Sequence, residues 1–297
     1  MQLLSLVLLL SSFSSLTLTE VVNSFKQSCP KFFVPNPKTT NDIIVPTIFT
    51  GLQYKKICQR WNDSYRFATV YDTVRRIPVY SAYTLLKAGT TTRINDWKIE
   101  PQLENIEEYK NLREMIVPLS EAGKIFNQAV NSDYKNIKFT RGHLFPRQFA
   151  ADQKQADSTF TLTNVAPQTP GSNQRWADDV ETPMLKDINQ DCEVNQNYKA
   201  YIVTGVVPGN NWISITREGK VYQEGINIPS HAWSAYCCRN ATDLKKLIVK
   251  TYLADLDTFD LRRPDINNLN RRLTAMYSDI GCIKKGIPFN VFPGLDF

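Results

Sequence analysis

The segment "FATVYDTVRRIPVYSAYTLL", Phe67 to Leu86, constrains the fold more than any other. It is dense in Val, Tyr and Thr, which suit a pleated, half-buried surface, and it is broken in the middle by "RRIP". It predicts the two strands of a hairpin. Later segments repeat the signal. "YKNIKFTRGHL" alternates apolar and polar residues at Ile137 and Phe139 and predicts a strand entering a turn at Gly142. "FTLTNVAPQTPG" predicts a strand that ends in a Pro/Gly loop, and "AYIVTGVV", Ala200 to Val207, a buried strand. "LKKLIVKTYLADL" reads as either a helix or a strand in the core. Trp176, Val180 and Met184 recur every four residues and predict one apolar helix face, with Ser172 capping a helix that starts at Asn173. Pro183 either kinks that helix or ends it, with Thr182-Pro183 starting a second one. Strands with isolated helices predict an α+β fold: a central, mostly antiparallel sheet flanked by helices. No internal repeat, low-complexity block or long linker intervenes. The expectation is one domain over residues 20–297.

The first residues bear on the compartment. "LLSLVLLL", Leu3 to Leu10, is an apolar core followed by the small and polar run "SSFSSLTLT". This reads as a signal peptide over residues 1–19, cleaved near Thr19 or a few residues later. An uncleaved anchor is the alternative, but the apolar core is too short to span a bilayer comfortably. No later segment is apolar and long enough to span. Six cysteines, Cys29, Cys58, Cys192, Cys237, Cys238 and Cys282, agree with secretion and allow up to three disulfides. No CxxC pair or nearby His cluster supports zinc. Asn62-Asp63-Ser64 and Asn240-Ala241-Thr242 are glycosylation sequons. Apolar residues at 42% and charged residues at 22% exclude a disordered chain. The net charge of +6 fits an anionic partner.

The chain has two histidines, and one sits in "TRGHLFP", Thr140 to Pro146. Phosphodiester hydrolysis needs a base to activate water, a group to neutralise charge at phosphorus and a group to stabilise the leaving oxygen. A neutral histidine suits the first task and arginine the second. A hard cation such as Mg²⁺ suits the third, because it keeps most of its waters and needs few protein oxygens. By itself His143 reads equally as a packed strand histidine. Likewise Asn173 reads as a polar residue at a helix start, and Glu181 as a solvated carboxylate.

Three motifs in order, "RGHLFP", "FTLTNVAPQ" and "GSNQRWADDVE", resemble the DNA/RNA non-specific endonucleases with their ββα-metal (His-Me finger) site. The spacings from His143 to Asn164 and from Asn164 to Asn173 fit that family without gaps. "TTRINDWKIEPQL" resembles its arginine-bearing strand upstream of the site, and "YIVTGVV" and "IPSHAW" its later core strands. The resemblance runs from about Tyr71 to Cys238. The signal, the cysteines and "RRIPVYSAYTL" bring it closest to the animal endonuclease domain-containing 1 group.

The resemblance implies roles residue by residue. His143 would be the general base, and Asn173 the ligand of Mg²⁺, with Mn²⁺ able to substitute. Glu181 would hold metal-bound water. Arg141 would contact the scissile phosphate or stabilise local structure, and Asn164 would support the geometry around the base. Arg93 would be the upstream-strand arginine, although "RINDW" is spaced two residues longer than usual. Asp178 and Asp179 turn further from Asn173 than Glu181 does. The implied protein is a secreted, Mg²⁺-dependent endonuclease that holds DNA and RNA by the phosphate backbone, with little sequence specificity. Four departures mark the chain: Thr140 where the family has an acidic residue, an Asn-to-Trp interval one residue short in "NQRW", Pro183 close after Glu181, and no arginine one turn beyond it, with Lys186 the nearest cation. Thr140 and Pro183 motivate an alternative, a catalytically weak or inactive secreted nucleic-acid-binding protein on the same fold. His231 in "IPSHAW" reads as structural, and the pairs Arg262-Arg263, Arg271-Arg272 and Lys284-Lys285 as solvated faces.

Overall fold

The computed structural model describes residues 20–112, 115–116, 122–135 and 137–295. The expected signal peptide, residues 1–19, lies outside the described residues. In chain order, β1 (Val21–Val22), the short helix α1 (Phe25–Ser28), β2 (Val34–Pro35) and β3 (Ile43–Ile44) precede three longer strands. These are β4 (Tyr54–Trp61), β5 (Ser64–Asp72) and β6 (Ile77–Leu85). The middle of the chain contributes β7 (Thr140–His143), α2 (Gln153–Ser158), β8 (Val165–Gln168), α3 (Pro170–Trp176) and α4 (Thr182–Asp191). Then follow β9 (Ala200–Arg217), β10 (Lys220–Arg239), β11 (Leu247–Asp255), β12 (Leu261–Arg262) and α5 (Ile266–Asp279).

Eight strands form one antiparallel sheet in the order β1-β4-β5-β6-β9-β10-β11-β12. The predicted hairpin is β5–β6. Its "RRIP" break is a turn in which the Asp72 carboxylate accepts from the Val74 and Arg75 N–H groups and Arg76 adopts φ +53°. "LKKLIVKTYLADL" resolves as strand β11, in register with β10 from Leu247 to Asp255.

Successive side chains in a strand point to opposite faces, and here both faces are covered. One face presents Phe67, Tyr83, Ile202, Tyr236 and Tyr252 to Phe145, Trp176 and Met184. The other presents Ala68, Tyr80, Val203, Trp233 and Leu253 to Leu269, Leu273 and Tyr277 of α5 and to Phe289. The Trp233 Nε1–H donates to Tyr277 Oη at 2.8 Å, and that hydroxyl donates to the Val206 carbonyl.

The same alternation sorts the cysteines between the two layers. Cys29–Cys58 and Cys192–Cys238 are bonded, whereas Cys237 and Cys282 are buried thiols. Cys192 and Cys238 lie in one layer, and Cys29, Cys58, Cys237 and Cys282 in the α5 layer. Two bridges form rather than three. Of the sequons, Asn62 occupies an exposed β4–β5 turn at φ +56°. Asn240 instead uses its Oδ1 to accept from the Thr242 N–H and hydroxyl. Among the described residues no helix is long and apolar enough to cross a membrane.

Candidate active site

β7 and β8 form a separate two-stranded ribbon, with Thr140 opposite Gln168, Arg141 opposite Pro167, Gly142 opposite Ala166 and His143 opposite Val165. Gly142 is therefore inside the strand, not at a turn. A Cβ there would meet Gln168 Oε1 at 2.3 Å, so only glycine lets the Gln168 side chain cross the ribbon. Thr140, at the position expected to be acidic, donates its hydroxyl to the Gln168 carbonyl at 3.2 Å. The "QTPG" segment is not a loop. Thr169 caps α3 directly, its Oγ1 accepting from the Ser172 N–H, and Pro170 takes the first helical turn, where its missing N–H costs nothing. The cap is thus Thr169 rather than Ser172, and Asn173 lies one turn inside the helix. α3 packs against β7.

Pro183 sits in the first turn of α4, which starts at Thr182 as the second helix expected from Thr182-Pro183. α3 runs through a π turn (Ala177–Glu181) into α4, and the boundary residues Ala177 and Thr182 keep helical angles. The wider turn also changes which residues share a face. Eight residues of straight α-helix would set Glu181 about 80° away from Asn173. A five-residue π turn, winding at about 4.4 residues per turn, removes most of that offset. Asp178 and Asp179 point elsewhere: Asp178 accepts from Gln174 Nε2, and Asp179 pairs with Arg175.

His143 sits against Trp97 and Phe160, with ring centroids 5.5 and 5.2 Å away. Its Nε2 is buried without a hydrogen-bond partner. Burial first, then the positive charge of Arg93, Arg147 and Arg141, push its pKa down to about 3, against an opposing hydrogen bond to the Arg141 backbone. The ring is neutral at physiological pH. Its other nitrogen is held by the backbone, which leaves Nε2 as the acceptor.

The remaining predicted residues fall into two groups. Asn164 and Arg141 are structural supports of the ribbon. Asn164 is fully buried, and its Oδ1 accepts from Ser81 Oγ and the Phe145 N–H, both at 3.0 Å. Its Nδ2 donates to the Phe145 and Thr159 carbonyls. Arg141 turns its guanidinium to Asn131, donating to the carbonyl at 3.0 Å and to Oδ1 at 2.5 Å, with the rings of Trp97 and Tyr134 each 4.9 Å from its charge. The second group is Arg93 and Glu181. Arg93 is exposed and lies 5.7 Å from the Phe160 ring that also packs on His143. It is not on a strand: residues 87–97 have no regular secondary structure, and pairing begins only with the bridges at Lys98 and Ile99. Glu181 is half-buried, and burial pushes its carboxyl up to about 7 despite a hydrogen bond from Gln148 Nε2 at 2.7 Å.

Sequence reasoning did not single out Arg147, Gln148, Gln168 or Trp97. Arg147 donates to Thr91 and adds charge beside His143. Gln168 Oε1 is buried and unpartnered. The available signal was proximity, since "PRQF" directly follows the histidine motif and Gln168 ends "NVAPQ". His231 is on β10, beside Asp255 of β11. Of the basic pairs, Arg262 is bound to Asp260, whereas Arg263 reaches the site helix through the Asp179 carbonyl.

Among the described residues no three His, Cys, Asp or Glu side chains converge as a metal cage. The donors present are the Asn173 amide oxygen, one turn inside α3, and the Glu181 carboxylate. A few hard oxygens suit a cation that keeps most of its waters, as Mg²⁺ does.

A histidine-bearing antiparallel ribbon feeding directly into a helix, against a large antiparallel sheet, is the architecture of a ββα-metal nuclease. Residues 53–274 match the DNA/RNA non-specific endonuclease family, and the chain belongs to that family. It is 32% identical over 214 residues to the endonuclease domain-containing 1 protein of Homo sapiens, covering 71% of this chain and 38% of that protein. The Mus musculus protein of the same name is 32% identical over 187 residues, covering 62% and 34%. The chain thus spans less than two-fifths of the length of these curated relatives. A 57-residue stretch is 42% identical to the mitochondrial endonuclease G of Homo sapiens, 19% of each chain. The crystal structure of the EndoG/EndoGI complex contains a chain matched at 17% identity and TM-score 0.46, covering 72% of this chain and 83% of that one.

Proposed function

We propose that this chain is a secreted, divalent-cation-dependent endonuclease that hydrolyses phosphodiester bonds in DNA and RNA with little sequence specificity. One observation carries the reading: a ribbon histidine, neutral and with an unpartnered, buried Nε2, under the positive charge of Arg93, Arg147 and Arg141. Nε2 takes the proton of the attacking water. Arg93 and Arg147 receive the scissile phosphate, while Arg141, tied to Asn131, holds the ribbon in shape. Part of the depression of the His143 pKa comes from those arginines. A bound phosphate cancels their field, so the base strengthens when substrate arrives. Asn173 would hold the cation, Mg²⁺ or Mn²⁺, and Glu181 its bound water, and the cation when bound would stabilise the leaving oxygen. Contacts to phosphate rather than to base edges account for weak sequence preference. Two disulfides support an oxidising, extracellular setting.

The test is digestion of plasmid DNA and of RNA with Mg²⁺, with and without EDTA, beside His143→Ala. The expected result is cutting abolished by EDTA and reduced at least about 100-fold by the substitution, with an unchanged melting temperature. Equal digestion by both proteins would remove His143 as the base. A second reading, a binder without turnover, is favoured by Thr140, which leaves the ribbon without a carboxylate at that position. Salt-sensitive gel shifts with no cutting would establish it.

A further inference from the structure

We propose that Gln148 is a positioning residue for the nuclease reaction, fixing the Glu181 carboxylate relative to the histidine-bearing segment. This rests on the reading of Glu181 as a residue that holds cation-bound water. Gln148 lies in the short turn Arg147–Phe149, two residues beyond Pro146 of the histidine motif. That turn has a firm base. Phe145 is clasped through both its N–H and its carbonyl by Asn164, and its ring stacks on Tyr83 at 4.2 Å. Arg147 is anchored to Thr91, and the Phe149 ring packs 6.2 Å from Tyr83. From this base the Gln148 amide donates to Glu181 Oε2 at 2.7 Å.

Glu181 comes from the opposite side, as the last residue of the π turn. Among the described residues the Glu181 carboxylate has no other hydrogen-bond donor. The bond is therefore the side-chain tie that runs straight from the histidine loop to the far end of the site helix. The amide suits the task chemically. Lys or Arg would neutralise the carboxylate and weaken its hold on a cation, whereas Gln orients one oxygen and leaves the charge intact. Such outer partners of metal-site groups commonly govern affinity or activity by 10–100-fold.

The experiment uses the full protein with Gln148→Met, which keeps the length but loses the donor, and Gln148→Ala beside it. Mn²⁺ binding is read by electron paramagnetic resonance without nucleic acid, and cutting is read against Mg²⁺ concentration. Both variants are expected to bind Mn²⁺ about tenfold more weakly and to need correspondingly more Mg²⁺, at unchanged melting temperature. In a Glu181→Ala background, Gln148→Met should add nothing, because its partner is gone. Unchanged Mn²⁺ binding in both variants, or a further loss in the double variant, would overturn the proposal. Full cutting by His143→Ala would instead refute the nuclease mechanism and leave the binding result to stand alone.

Discussion

Asn164 uses every polar capacity of its amide: two acceptor sites filled by Ser81 and the Phe145 N–H, and two donors spent on the Phe145 and Thr159 carbonyls. None of these groups reaches water, since Asn164 is fully buried. Truncation would strand the Phe145 N–H and the Phe145 and Thr159 carbonyls, while Ser81 keeps Thr69, and a cost of about 3–5 kcal/mol follows from unsatisfied buried groups. Asn164→Ala is thus expected to lower the urea midpoint and the cutting rate together, whereas His143→Ala lowers the rate alone. A variant with normal stability and low activity would show instead that Asn164 touches the reaction. The motif around Asn164 was legible in the sequence, because "TLTNVAPQ" falls at a fixed distance from His143. Its principal partner was not, because Ser81 lies 83 residues away on β6. Arg141 shows the same limit. Its neighbour His143 suggests phosphate contact, but only the folded chain brings up Asn131, Trp97 and Tyr134 to hold the guanidinium.

The helix from Pro170 to Asp191 explains why a four-residue period looked regular and yet left Pro183 ambiguous. Four residues advance an α-helix by about 400°, past a full turn, so a strict four-residue repeat drifts off its face. Trp176, Val180, Met184 and Ile188 are nevertheless all buried, because the π turn takes up the excess. That turn also accommodates Pro183, which has no N–H for the Asp179 carbonyl. The guanidinium of Arg263 donates to that carbonyl at 3.3 Å instead. Arg263→Ala should therefore cost on the order of 1 kcal/mol in a urea melt, and little or nothing once Pro183→Ala restores a backbone donor. Additive effects in the double variant would exclude this exchange. Strand β9 was legible only to Val207 for a related reason. Beyond it Pro208 and Gly209 form an irregularity opposite Pro229, where the Asn227 side chain bonds both the N–H and the carbonyl of Gly209, and the strand continues to Arg217.

At the scale of the molecule, strand patterning was enough to predict an antiparallel α+β fold, because local alternation reports which residues must be covered. It could not report how the sheet ends. The edges are the two-residue strands β1 and β12, short enough to discourage pairing with other chains. At the β1 edge the Glu20 carbonyl accepts from the Cys58 N–H, and Cys58 is bonded to Cys29. The 29-residue separation makes that bridge worth about 3–4 kcal/mol by loop entropy. Beneath this edge the carboxyl groups of Glu20 and Glu100, both fully buried, face each other. Burial raises both from the ordinary value of 4.5, and the charge of Glu100 raises Glu20 further. Folded protein therefore retains a proton that unfolded chain releases above pH 4.5. The resulting stability is present at acid pH and is lost as pH climbs through the raised folded values. Glu20→Gln removes one of the two titrations. Thermal melts between pH 5 and pH 9 should show the unsubstituted protein losing stability towards alkaline pH more steeply than the variant, with the gap widening as pH rises. Parallel curves across that range would mean that the two carboxyl groups do not share a proton in the folded protein.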